Sequence, residues 1–582
     1  MDAPRGTHHA PARRPATQRK PEDGPMIVDR NVRIPRRDGP DVVADVFRPD
    51  RGKGRVEQFP VLVTVGVYGK DVPFRVFNPK GWERSELKSG EGPRDYIVGE
   101  TPLPDFWVRA GYAVVRCDQP GSGDSPGDLD VFGPAAQAAF YDAVEWAGTQ
   151  SWSTGKVGVF GASYYGVMGW LVAGLRPPHL AAFLPFQGFT DHYRDCMRHG
   201  GILTAGFVDS WYGREVLPRQ FGAPTGTSGA KLSADELTAN TAFPKDYREY
   251  LRDDALRYAT HEYYRARTPD PAAVTVPVFA WANDDGFGLH LRGTIEGFGL
   301  ARNAAFCALY AYSGTEPDSM YSTEFSDIHR RFFDRFLKGE ENGFEHEPRV
   351  RVTVRKDGRP FAERRGTTYP LDGTEARRFY LECGRHALLD EAPGDARTTA
   401  YRSEYGSDGV VQFCTPALER DLEIVGPMRL HLTVSADGPD ADLFVAVREL
   451  RPDGSEVVAA SGSPIALSWQ RVSMRHADPA QSSTFRTWHT YDRTLPLDPG
   501  VPVTLDVNLW PAAWIVAAGN RLAIEIGGNE PKGAGEYTHP PAGPYASPGR
   551  APLDNGAPAP AEVRLHSGGE EPSYVVLPVV PA

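Results

Sequence analysis

Apolar and polar positions along this chain change their rhythm twice. From Met26 to about Asp191, short apolar runs alternate with stretches of helical period. Ile27–Ile34 and Val42–Phe47 read as a hairpin around Arg37-Asp38-Gly39, a turn signal. Pro60–Val67 is a continuous apolar run of the kind found in sheets covered on both faces, and Tyr112–Cys117 is another. Ala135–Gln150 has helical spacing through Ala139, Ala143 and Trp146. Val157–Phe160 then predicts a strand, the stretch through Leu171, Val172 and Leu175 a helix, and Ala182–Phe186 the next strand. Strands alternating with helices predict a mostly parallel sheet, which binds ligands beyond the carboxyl ends of its strands.

Between about His192 and Pro271 the strand signal fades into aromatic and charged residues, with a polar stretch at Thr225–Lys231 and a helical pattern near Tyr247–Tyr264. This predicts a helical cap over 192–271. Strands resume at Val274–Trp281 and Ala305–Tyr312, and a helix over Phe325–Leu337 is closed by Lys338-Gly339. Residues 26–191 and 272–366 are therefore expected to form one α/β domain. After about Thr367, short alternating segments separated by Gly, Pro and Asp predict an antiparallel jelly-roll-like sandwich over 367–582, with Pro540–Pro560 as a long loop. Residues 1–25, rich in Pro, Arg and His without an apolar segment, read as a flexible tail and not a secretory signal, with His8 and His9 part of it.

A length of 582 residues exceeds one ordinary core, in keeping with two or three domains. The net charge of -12 argues against a nucleic-acid surface or binding driven by anionic lipid. No run approaches the roughly 18 apolar residues of a membrane helix. The five cysteines are scattered, without C-x-x-C or histidine pairing, which suggests a reduced, cytoplasmic setting with buried thiols. No spacing suggests a metal or organic cofactor, and the expected partner is a small-molecule substrate.

The candidate chemistry centres on Gly161-Ala-Ser-Tyr-Tyr-Gly166, between the strand Val157–Phe160 and its helix. A serine on such a turn is held out of the sheet above a helix N-terminus, where free N–H groups and the helix dipole favour a developing negative charge. Gly161 is expected to serve the strained turn and Gly166 the close approach of helix to sheet. Gly123-Asp-Ser-Pro-Gly127 satisfies G-x-S-x-G literally, but Pro126 has no N–H to offer an oxyanion. Ser163 is therefore the candidate nucleophile and Ser125 a loop serine. Such a nucleophile needs an oxyanion donor, an acid and a base. Tyr68, just past the strand at 60–67, is positioned for its O–H to join the Tyr164 N–H.

Several segments together resemble the cocaine esterase / glutaryl-7-aminocephalosporanic acid acylase (CocE/NonD) family, related to X-Pro dipeptidyl peptidases. They are Asp118-Gln-Pro-Gly-Ser-Gly-Asp-Ser-Pro-Gly127, Glu145-Trp146, Ser151–Gly166, Phe332-Phe-Asp-Arg-Phe-Leu-Lys-Gly339 and Pro572–Pro578. The resemblance implies an α/β-hydrolase domain with a helical cap and a C-terminal jelly roll. It also implies a serine nucleophile at Ser163 and an oxyanion tyrosine at Tyr68. It puts the acid in Trp281-Ala-Asn-Asp-Asp-Gly-Phe-Gly-Leu-His290, where Asp285 fits better than Asp284 and both stay open. Where the family has its histidine, in a context like Leu-Tyr-Val-His-Gly, this chain reads Leu309-Tyr-Ala-Tyr-Ser-Gly314, with Tyr312 in place of histidine.

A neutral tyrosine, with an ordinary pKa near 10, is a poor base at neutral pH. Two further histidines stand nearby, His290 in the acid loop and His329 in the following helix. The expectation is a serine hydrolase of small-molecule esters or amides, with Asp285 orienting a relocated base, His290. The alternatives are a lyase, cyclase or acyl-transfer enzyme in which Tyr312 works beside Ser163, or a pseudoenzyme.

Overall fold

The structure, a computed structural model, describes residues 26–52, 57–85, 96–221, 254–313, 320–541 and 556–581. The expected tail, part of the helical stretch at 247–264 and most of the loop at 540–560 lie outside the described residues.

The N-terminal half is a mixed sheet. Its strands are β1 (Met26–Ile34), β2 (Val42–Pro49), β3 (Phe59–Gly66), β4 (Ala113–Asp118), β5 (Ser153–Ala162), β6 (Leu180–Phe186), β7 (Val278–Asn283), β8 (Cys307–Tyr312), β9 (Val350–Lys356) and β10 (Arg359–Gly366). They lie in the order β1-β2-β4-β3-β5-β6-β7-β8-β9-β10. Pairings from β4 through β9 are parallel, whereas β1–β2, β2–β4 and β9–β10 are antiparallel. β3 shows why its run is uniformly apolar. Val61, Val63 and Val65 feed a core on one face, while Leu62 feeds a second core with Trp107 and Phe333 on the other.

Helices cover both faces. They are α1 (Pro104–Arg109), α2 (Pro134–Thr149), α3 (Tyr164–Gly174), α4 (Ala205–Trp211), α5 (Leu291–Leu300) and α6 (Thr323–Phe333). The helix expected over Phe325–Leu337 is α6 followed by a wider turn, Asp334–Lys338, and Gly339 ends it in the left-handed conformation at φ 75°. β7 begins at Val278, not Val274, because Pro277 has no N–H to enter the ladder. In the cap region, the described part of the stretch at 247–264 forms only short turns, Asp254–Arg257 and Glu262–Arg265. The longest described helix between 192 and 271 is instead α4, inside the span expected to be a helical cap but away from the stretch with helical period at 247–264.

Beyond β10 the chain is antiparallel β-structure. Leu422–Ala436 pairs with Val503–Val516, Ala561–Ser567 and Tyr574–Val579. A second set runs Val410–Cys414, Arg521–Gly527, Asp442–Leu450 and Ala466–Arg471. This mostly-β half joins the first sheet directly, where Arg355 and Lys356 of β9 pair in parallel with Trp514 and Ile515. No described helix is long and apolar enough to cross a membrane.

Candidate active site

Ser163 lies between β5 and α3 at φ 52°, ψ -115°, a left-handed backbone that costs a non-glycine residue energy. The Ser163 N–H donates to the Phe186 carbonyl of β6 and the Ala162 N–H to Glu100, which pins the turn from both sides. The strain falls on the serine itself. Gly161, expected to supply the special backbone angle, has no positive φ; a Cβ there would run into the Tyr165 side chain. Gly166 is required for close approach, since a Cβ would sit 2.9 Å from the Phe186 carbonyl oxygen. Ser125 is buried in a loop, where its hydroxyl accepts from the Val43 N–H and donates to the Asp118 carbonyl.

A cavity of about 640 Å³ opens above Ser163. It is lined by Tyr68, Tyr164 and His290, by apolar rings that include Phe132, Phe189, Phe207 and Trp211, and by Glu100, Glu215 and Glu536. Glu536 and Tyr537 arrive from the C-terminal β-domain, and Glu536 meets Arg214 at 3.3 Å. Burial pushes the Glu215 carboxyl up to about 7.

His290 Nε2 lies 3.2 Å from Ser163 Oγ. The loop after β7 makes this approach possible. The Gly286 N–H closes a turn on the Asn283 carbonyl, and the His290 N–H reaches back to the Gly286 carbonyl. Gly288 stands at φ 80° against Tyr537, where a Cβ would come within 2.5 Å of the Tyr537 Cβ. Burial pushes the His290 imidazole down to about 3, so the ring is neutral at ordinary pH, with one of its two nitrogens unprotonated.

Tyr68 is buried at the cavity wall, and its hydroxyl accepts from the Trp211 indole N–H at 2.8 Å. Burial, with the Glu100 and Glu215 carboxylates adding to it, holds the phenol well above its usual range and therefore protonated. The Tyr164 backbone N–H is the first of α3, one of the N-terminal groups with no intrahelical acceptor. The Tyr164 ring hydroxyl is tied elsewhere, donating to Gln119 at 2.6 Å and accepting from the Phe132 N–H.

Two expectations need correction. Tyr312 is fully buried and belongs to the core on the opposite face of the sheet, beside Phe186, Trp281 and Phe325; it does not line the cavity. As the last residue of β8, it alternates with Ala311, which faces the other core, and its hydroxyl accepts from the Gln187 amide. Asp285, expected to orient His290, makes no described hydrogen bond to it. Its carboxylate takes the Arg355 guanidinium at 2.8 Å. Asp284 is held more tightly still, by Arg355 at 2.6 and 2.8 Å and by the Ser313 hydroxyl. Burial pushes the Asp284 carboxyl up from its usual range, against the pull of Arg355. His329 is buried among Phe160, Phe186 and Trp281 in the core opposite the cavity.

Trp211 and Arg355 also touch these groups, Trp211 at the Tyr68 hydroxyl and Arg355 at both carboxylates. Arg355 lies in an ordinary alternating strand and Trp211 in a segment with no clear period, so neither carried a local signal. Among the described residues, no group of three or more His, Cys, Asp or Glu side chains is arranged to hold a metal ion.

Residues 38–284 match the X-Pro dipeptidyl-peptidase (S15 family) model, and residues 342–576 match the X-Pro dipeptidyl-peptidase C-terminal non-catalytic domain. The first match stops at Asp284, ahead of the loop that carries His290. Cocaine esterase of Rhodococcus sp. (strain MB1 Bresler) is 24% identical over 96% of this chain and 99% of its own length. A putative serine esterase of Mycobacterium bovis is 23% identical over 84% of this chain and 89% of its own. Among solved structures, a CocE/NonD family hydrolase from Staphylococcus aureus superposes with a TM-score of 0.80 at 27% identity, covering 96% of this chain and 94% of that one. An α-amino acid ester hydrolase shares the fold, with a TM-score of 0.70 at 19% identity over 97% of this chain and 98% of its own. With both domain models matched in order and similarity along nearly the whole length, the chain belongs to the CocE/NonD family of α/β-hydrolases.

Proposed function

We propose that this enzyme is a serine hydrolase that cleaves a small-molecule ester or amide through Ser163, with His290 as the base. The observation that carries the reading is the 3.2 Å separation of His290 Nε2 from Ser163 Oγ. A neutral imidazole with its proton on Nδ1 accepts the serine proton as Oγ attacks the acyl carbon. The carbonyl oxygen, becoming an oxyanion, takes hydrogen bonds from the Tyr68 O–H and the Tyr164 N–H. The protonated His290 then gives its proton to the departing alcohol or amine. Water, deprotonated by His290, releases the acyl group and restores Ser163.

The cavity volume and its aromatic lining suit a compact apolar acyl or alcohol group, and the relatives, esterases among them, agree with that chemistry. The burial of Tyr312 away from the cavity counts against a reaction in which it works beside Ser163.

Labelling with a fluorophosphonate, mapped by mass spectrometry, tests the reading. Ser163 is expected to label in the native chain and to react far more slowly in His290→Ala. Labelling that is indifferent to His290 would remove it as the base, and absence of labelling would remove the serine-hydrolase reading itself.

A further inference from the structure

We propose that Trp211 is a positioning residue of the oxyanion hole, the group that aims the Tyr68 hydroxyl proton into the cavity; this rests on the serine-hydrolase reading above. The hydrogen bond between them, at 2.8 Å, has only one possible direction. An indole N–H donates and cannot accept, whereas a phenol oxygen does both. The indole therefore occupies an acceptor position on the Tyr68 oxygen, and the phenol's own hydrogen must point elsewhere. Among the described residues, no other hydrogen-bond partner of that hydroxyl is present, and Tyr68 lines the same cavity as Ser163.

Neither ring has freedom to turn away. Trp211 is 5% exposed and stacks on Phe207 and Phe132, with ring centroids 6.0 and 6.2 Å away. Tyr68 is 3% exposed and held by Phe77, Tyr164 and Tyr165. A hydroxyl that accepts one hydrogen bond is polarised into a better donor of the next, so the indole strengthens the bond that Tyr68 offers to an oxyanion as well as aiming it. Trp211 ends α4, in the segment between β6 and β7, while Tyr68 follows β3. The pair thus links the oxyanion hole to the seating of that segment.

The test is a double-mutant cycle of Trp211→Phe, which keeps the ring and removes the N–H, with Tyr68→Phe. It is read as the rate of fluorophosphonate labelling at Ser163 and as kcat and KM on p-nitrophenyl acetate. Removing an oxyanion donor typically costs about 10²–10³-fold in kcat, so Tyr68→Phe is expected in that range. Trp211→Phe is expected to lower kcat by roughly 10-fold with KM nearly unchanged, because the donor remains but loses its aim. In the Tyr68→Phe background, Trp211→Phe should cost nothing further.

An equal loss from Trp211→Phe in both backgrounds, or an effect confined to KM, would overturn the positioning role while leaving the Ser163 reading intact. Labelling of the native chain that depends on Ser163 but runs at the same rate in Trp211→Phe would do likewise. No labelling of the native chain would overturn both.

Discussion

His290 Nε2 and Ser163 Oγ lie 3.2 Å apart, although 127 positions separate them and His290 stands on the loop that follows β7. Tyr312, at the end of the next strand, is turned into the opposite core. The two residues thus make opposite predictions. His290→Ala is expected to lower kcat by about 10³-fold or more, the scale of losing a positioned base. Tyr312→Phe is expected to leave kcat within a few-fold and to cost about 1 kcal/mol of stability through the lost Gln187 hydrogen bond. Steady-state kinetics and thermal midpoints on the two variants check both.

The pH dependence follows from the burial of His290. Burial pushes the imidazole down to about 3, so the ring stays neutral well below the ordinary histidine value of about 6.5. A base must be unprotonated to act, and a lowered pKa extends that state toward acid. kcat/KM is therefore expected to stay flat from pH 7 to about 5, where an ordinary histidine would already have lost most of its activity. A half-maximal point near pH 6.5 would contradict the environment described for the ring.

His329 carries a stability prediction instead. The ring is buried in the core, and neither nitrogen has a hydrogen-bond partner among the described residues. Burial pushes it down to about 3. Between that value and about 6.5 the unfolded chain binds a proton that the folded chain does not, so stability falls as pH drops through this window. The contribution is about 1.4 kcal/mol per pH unit, or about 2 kcal/mol at pH 5. His329→Leu is expected to lose that much less stability between pH 8 and pH 5, read from urea midpoints at the two pH values.

Much of the scaffold was legible because burial on both faces of a parallel sheet leaves continuous apolar runs, as at Val61–Val65 and Val114–Val115. The serine turn was legible because Gly166 records a steric need that reads directly in sequence, the approach to the Phe186 carbonyl. The partners of the turn were less so. His290 reaches Ser163 only because the loop folds back through Gly286 and Gly288, and that path depends on Tyr537, some 250 residues away, packing against Gly288. The commitments of Asp284 and Asp285 are hidden for the same reason. Their partner Arg355 comes from another strand, 71 and 70 positions on, and local sequence gives an acid loop without saying which base it meets.

Those commitments define the last prediction. In the usual serine triad a carboxylate holds the histidine, and removing it costs about 10⁴-fold in kcat. Here both carboxylates face Arg355, whose side chain is 4% exposed, while those of Asp284 and Asp285 are 7% and 15% exposed. A buried guanidinium shared by two carboxylates holds its neighbours in place, and breaking such a group leaves an unpaired buried charge at about 3–5 kcal/mol. Asp285→Asn keeps the side-chain shape and leaves Asp284 on the guanidinium, so it is expected to lower kcat by less than about 10-fold. Arg355→Met strands two adjacent carboxylates and is expected to lose about 3 kcal/mol or more, seen as a large drop in thermal midpoint. If Asp285→Asn instead lost about 10⁴-fold in kcat with an unchanged midpoint, Asp285 would be the orienting acid of a triad, and the Arg355 contact would have to open during the reaction.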